Sequence, residues 1–262
     1  VTVDAEWHYD TDGTYGGAGA LIERPDWVIK HFLRNYMGAA AGEIDATSFA
    51  AAGTLYAAAI TGGYKLAGII PKDQPWTTLK ALAFCCRSTV PPFKAGKYYL
   101  NYTPDTAPAV SRTLTRDDLK GPGAQYIFAK TSIRAVFNDL TALYQPNYSG
   151  DTSREISSGY LASTAAHDDA SIAKYGTYTQ EYSLRWVRLV AMADHVLAHH
   201  LLEWKIPLLT VTGVLSWQQG DMAEGETIGI TNLIYSGRKW WASGLNRRDK
   251  FTVGFSATEW WS

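Results

Sequence analysis

Cysteine is almost missing from this sequence: Cys85 and Cys86 are the only two in 262 residues. Adjacent cysteines do not reach the usual loop-closing disulfide geometry, so nothing calls for an oxidising compartment. An excess of one charge sign is missing too. The 24 Lys and Arg stand against 25 Asp and Glu, a formal net charge of −1, which leaves no long-range field to draw in a polyanion or an anionic membrane face. General nucleic-acid binding is therefore disfavoured. No apolar run approaches the ~18 residues of a membrane span, and Val1 to Asp10 lack the basic and apolar regions of a signal peptide. The chain begins at Val1 with no initiator Met, so it reads as processed or as a piece of something longer.

Catalytic signatures are absent as well. No G-x-S-x-G stretch occurs, and Cys85 and Cys86 sit in an apolar helical pattern where small thiols pack as core. Gly16 to Leu21 (GGAGAL) lacks the glycine spacing and the preceding strand of a dinucleotide fingerprint, and no Gly-Lys-Ser/Thr follows. His195 and His199 have the i,i+4 spacing that can chelate zinc, but Val196 stands where H-E-x-x-H needs its general base. Both histidines fall on the polar side of their helix, so a solvated face is expected and no metal site. Asp10 and Asp12 before Gly13 start like a calcium loop, yet Thr14 replaces the third ligand and the terminal Glu is missing.

What the sequence does hold is pattern. After a Gly-, Asp- and Tyr-rich lead-in, Ile29, Phe32, Leu33, Tyr36 and Met37 recur at helical spacing behind Pro25, with Gly38 to end the run. A second helix is expected over about 47–60, capped by Asp45 or Thr47 and closed by Gly62-Gly63. Gly63 to Pro71 reads as a short strand. Trp76, Leu79, Leu82, Ala83 and Cys86 then mark a third helix behind Pro75, and the chain from Gly96 to Tyr102, after Pro91-Pro92, alternates like a strand. Ile133 to Tyr144 and Glu155 to Ser163 read as exposed strands around a turn at Gln145 to Ser153. The strongest helical signal spans about Ser183 to Lys205. There Leu184, Val187, Val190, Ala191, Leu197, Ala198, Leu201 and Leu202 form an apolar stripe, with Arg185, Arg188, His195, His199 and Glu203 opposite. After Pro207 the pattern is β again. The class is therefore α+β, β-rich, with antiparallel strands closing into barrels or half-barrels beside a few amphipathic helices. The organisation expected is a lead-in over 1–24, a small helical and β domain over 25–112, and a β-rich domain over 113–262 that contains the helix near 183–205.

Three groups of residues are candidates for function. Trp240-Trp241 and Trp260-Trp261, from a chain with ten Trp and sixteen Tyr, could stack on sugars or anchor a subunit interface, and the interface is preferred. In a strand, neighbours face opposite ways, so one Trp of each pair is expected buried and one presented. Asp194 falls within the apolar stripe, where a carboxylate needs an Arg, a backbone cap or another subunit. His167-Asp168-Asp169 offers the acids of glycoside hydrolysis, but adjacent carboxylates cannot flank one bond, and a helix start is the plainer reading.

Taken in order, several stretches resemble the hub region of bacteriophage tails, the central tail-tip protein of long-tailed phages and the baseplate hub of contractile ones. They are Ala20 to Gly38 (ALIERPDWVIKHFLRNYMG), the helix start at Asp45 to Phe49, GIIP, LKALAFCCRS, KYYLNYT and Leu114 to Leu119 (LTRDDL). AHDDASIAKYG (Ala166 to Gly176) before WVRLVAMADHVLAHHLLEW is the most telling, and LLTVTGVLSWQQGDMAEGETIGITN closes the pattern, which covers most of Ala20 to Asn232. The resemblance implies a structural, non-enzymatic virion component without cofactor. It would be a homotrimer at the tail tip or baseplate, assembled in the bacterial cytoplasm, capping the tail tube and joining distal tail protein, tape measure and fibre. The alternative from the residues themselves is a carbohydrate-binding or glycan-hydrolysing domain that uses aromatic stacking and His167, Asp168 and Asp169.

Overall fold

The structure, a computed structural model, describes residues 10, 15, 17–19, 21–68, 74–89, 93–121, 124–147, 159–222, 224–231, 235, 237–247 and 252–261. Asp12, Ile69 to Pro71, Pro91-Pro92 and Glu155 to Ser158 lie outside the described residues.

The first two helices follow from their ends. α1 (Pro25–Asn35) has proline in its first turn and buries Val28, Ile29, Phe32 and Leu33. α2 (Ala46–Ala59) is capped by Asp45, whose side chain accepts from Ser48 N at 2.8 Å, which settles the choice between Asp45 and Thr47. Their contact is built around a charge. Arg24 donates to both oxygens of Asp26 at 2.6 and 2.8 Å, and Asp26 is buried against Gly53 of α2, where an added Cβ would stand 2.6 Å from its Oδ2. α3 (Pro75–Cys85) follows.

The strands are β1 (Phe93–Lys94), β2 (Lys97–Tyr98), β3 (Arg112–Leu114), β4 (Ile127–Lys130), β5 (Asp139–Pro146), β6 (Tyr160–His167) and β7 (Thr179–Leu184). After α5 (Val190–Trp204) come β8 (Leu209–Ser216), β9 (Thr227–Ile230), β10 (Lys239–Arg247) and β11 (Thr252–Glu259), and α4 (Asp169–Tyr175) lies between β6 and β7. The expected strand over Gly96 to Tyr102 shrinks to two residues, because Ala95-Gly96 turns β1 straight back onto β2 with both residues at positive φ.

Two sheets carry the rest. β6-β5-β7 is three-stranded, with β5–β6 antiparallel and β5–β7 parallel through α4. Along β5 the inward residues Leu140, Ala142 and Tyr144 alternate with half-buried ones, and α5 packs on β5 and β6. These residues join α1, α2 and α3 in one core. The six-stranded sheet runs β3-β9-β10-β11-β8-β4, antiparallel except for β3–β9, and surrounds a second core of Leu114, Val211, Leu215, Ile228, Trp240 and Phe255. The architecture is α+β as expected. Among the described residues this sheet has two ends, β3 and β4, and no pairing joins them.

The long helix differs from its sequence signal. Ser183 and Leu184 end β7, and the helix begins at Val190. Leu184 and Val187 are both buried, so they mimic a helical stripe while belonging to a strand end and the turn after it. The true buried face is Met192, Ala193, Val196, Leu197, His199 and His200, while Val190, Ala191 and Ala198 are exposed.

Candidate functional site

That rotated face brings His195 and His199 out of the solvent and onto a buried arginine. Arg87 follows α3 with φ 56, a conformation rare for a residue with a Cβ, and its side chain is fully buried. Nη2 donates to Asp105 Oδ1 at 2.6 Å and to the Thr103 carbonyl at 3.0 Å. Nη1 lies 2.9 Å from His195 Nε2 and 3.4 Å from Asp105 Oδ2. The two Nη2 hydrogens are thereby used, so His199 Nδ1, 2.8 Å from Nη2 and 3.0 Å from Asp105 Oδ1, is the protonated nitrogen and donates to Asp105. His195 accepts from Arg87 at Nε2 and donates from Nδ1 to the Tyr64 hydroxyl at 2.8 Å. Four segments distant in sequence meet here.

The charge state of this junction follows from its burial. Burial pushes His199 down to about 3, and the Arg87 guanidinium adds to the effect against the pull of Asp105, so His199 is neutral at physiological pH. His195 is lowered by the same causes. At Asp105 burial raises the carboxyl, and hydrogen bonding from His199 together with Arg87 outweighs it, holding the group below the usual carboxylate range. Burial pushes the Tyr64 hydroxyl well above its ordinary value, which keeps it protonated. The arrangement is one cation and one anion with neutral imidazoles between helices, suited to holding elements together. Sequence reasoning missed Arg87, Thr103, Asp105 and Tyr64. The Arg after Cys86 was visible, but nothing local distinguishes it from a surface arginine.

One of the candidate tryptophans, Trp261, adjoins this junction. Trp240 is fully buried in the second core, and Trp241, on the other face of β10, is half-buried, as strand alternation requires. Trp260 and Trp261 do not alternate. They lie beyond the end of β11, both are buried, and their rings stack at 4.6 Å. Trp261 meets His199 edge-on at 5.3 Å and Trp260 meets Trp241 at 5.3 Å, so the chain's last residues are tied to α5. Asp194 is exposed, which corrects its placement in the apolar stripe, and accepts from Thr164 of β6 at 2.5 Å.

The remaining candidates have structural duties. Asp168 caps α4, accepting from Ser171 N at 2.8 Å, and pairs with Lys205 at 3.0 Å. The Ser171 N–H and then Lys205 hold its carboxyl below the usual range. His167 and Asp169 are exposed, 3.6 Å apart. Asp10 is buried and accepts from the backbone of Tyr15 and Gly17. Burial pushes the thiols of Cys85 and Cys86 up to about 12, as packing residues. No group of three potential metal ligands occurs among the described residues. The open surfaces are elsewhere: edge strands β4 and β6 expose Ile127 and Leu161 at 58% and 67%.

The fold these elements define, a mixed three-stranded sheet under helices beside an open six-stranded sheet, has solved counterparts. No protein-family model matches the sequence, and no curated protein does. In the virion of a native gene transfer agent particle, one chain is similar over 89% of this chain, with a TM-score of 0.60 and 16% identity. This chain spans 46% of that chain's length, under half. A tail protein from Neisseria meningitidis MC58 aligns with 80% of this chain and 65% of its own at a TM-score of 0.42 and 15% identity. A prophage tail protein from Listeria monocytogenes EGD-e aligns with 74% and 56% at 0.39 and 10%.

Proposed function

We propose that the chain is a structural component of a phage-type tail, the hub at its tip or baseplate, acting by assembly and without catalysis. The observation that carries this reading is the fold it shares with a chain of the gene transfer agent virion over 89% of its length. The order of the hub-like stretches in the sequence supports the finer role, which is to cap the tail tube and connect it to distal tail protein, tape measure and fibre. The open edges support self-association, and the count of three rests on the resemblance to tail hubs. A six-stranded sheet with free ends and apolar side chains on edge strands is completed by neighbouring copies around an axis, as a homotrimer whose sheets close into barrel-like rings. Asp194, which is exposed, is the sequence candidate open to a neighbour, while Trp241 is half-buried beside Trp260, and Trp240, Trp260 and Trp261 are buried. Asp168, as a helix cap, counts against the glycan-hydrolysing alternative.

Immunogold labelling of intact particles tests the assignment. Label confined to the tail tip is expected, and label along the tube, on the head or on no particle contradicts it.

A further inference from the structure

Between α3, α5 and the end of the chain lies a half-open groove of about 270 Å³ that the assembly role does not use. Its apolar lining includes the rings of Phe84, His200, Trp204, Trp241 and Trp261. Phe84 and Trp204 each stack on the His200 imidazole, nearly parallel to it at 4.3 and 4.9 Å between centroids, so the three side chains form one aromatic stack in the wall of the groove. Around the rings stand Lys80, Ser88, Thr89 and Glu203. Several polar atoms at this lining are unsatisfied. His200 is 7% exposed and makes no hydrogen bond from either nitrogen, with Glu203 Oε2 3.5 Å from Nδ1, and Thr89 Oγ1 and Trp261 Nε1 find no partner among the described residues. Buried polar groups are ordinarily hydrogen-bonded, and such groups beside an apolar recess mark a binding site.

We infer that this groove binds a single neutral pyranose ring, such as a terminal residue of a glycan. A sugar ring has an apolar C–H face to lie on aromatic rings and an equatorial fringe of hydroxyls that donate and accept. A purely aromatic or aliphatic ligand would strand the polar rim without water. The charges at the rim, Lys80 and Glu203, cancel, and Asp105 already neutralises Arg87, so an acidic sugar or a phosphate has no excess cation to meet. The volume suits one ring, and the open side lets the rest of a chain leave.

Saturation-transfer difference NMR on the full chain with the methyl glycosides of glucose, galactose, mannose and N-acetylglucosamine tests this. At least one is expected to bind at ~1–10 mM, with transfer strongest on the protons of one ring face and a matching change in tryptophan emission. Glu203→Gln and Thr89→Val are each expected to weaken that binding about tenfold while leaving the folded spectrum and the particle mass unchanged. Absence of transfer from all four sugars at 50-fold higher concentration than the chain, or binding unmoved by both substitutions, overturns the proposal. Saturation transfer only from a hydrophobic tripeptide would assign the groove to a protein partner and overturn it equally. None of these outcomes bears on whether the chain assembles.

Discussion

Replacing Arg87 with Met removes the guanidinium while keeping the aliphatic stem that packs against Tyr102. The magnitude can be worked from the junction. The bond to Asp105 at 2.6 Å is charge-assisted, but the Asp105 side chain is 47% exposed and recovers water, so its loss costs about 1 kcal/mol. The Thr103 carbonyl and His195 Nε2 lose buried donors at 3.0 and 2.9 Å, about 1–2 kcal/mol each. The cation over the Tyr102 ring, 5.0 Å from its centroid, adds about 0.5 kcal/mol. Against these stands the desolvation cost of burying the guanidinium, which the Met variant avoids, so the net destabilisation expected is about 2–4 kcal/mol. Urea unfolding of the full chain, followed by tryptophan emission, measures it as a lower midpoint with an unchanged slope. Arg87→Lys, which keeps the charge but loses the planar fork, is expected to recover less than half of the loss. A change below ~0.5 kcal/mol for Arg87→Met would show that the junction is incidental to stability.

Further expectations follow from the same geometry. Below about pH 6.5 the unfolded chain takes up a proton at His199 that the folded chain refuses until about pH 3, so stability is full above 6.5 and falls as the pH drops through that window. The slope reaches up to about 1.4 kcal/mol per pH unit, and thermal unfolding between pH 7.5 and 5 should show it, flattened in His199→Asn. Asp105 adds nothing there, because its lowered carboxyl is lost only below its unfolded value of 3.8. Asp168→Ala should cost about 1 kcal/mol through the lost cap of α4, read as a shift in unfolding midpoint. Gly53→Ala should cost more, since its Cβ would meet the Asp26 carboxylate at 2.6 Å, and a neutral result would refute the close α1–α2 packing. Cys85 and Cys86 should resist a thiol reagent at pH 8 in the folded chain and react fully in denaturant.

Local signals carried the reading of the fold where local physics decides. Pro25 and Pro75 at first turns, Asp45 at a cap and Asp168 at another are interactions within four residues, and they place α1, α2, α3 and α4. The α5 boundary was not legible, because Leu184 and Val187 are buried by a sheet and a turn yet keep helical spacing with the residues after them. The histidines were misplaced for a related reason. An imidazole counts as polar in a pattern, and only Arg87, more than a hundred residues earlier, makes His195 and His199 welcome inside. The final tryptophan pair likewise escaped the alternation rule because β11 stops at Glu259, one residue short of it.

The central claim is that the chain completes itself against copies of itself. Light scattering coupled to gel filtration tests it most directly. A particle of three times the 28.8 kDa chain mass is expected across the concentration range, and a particle of one chain mass at every concentration would rule self-association out.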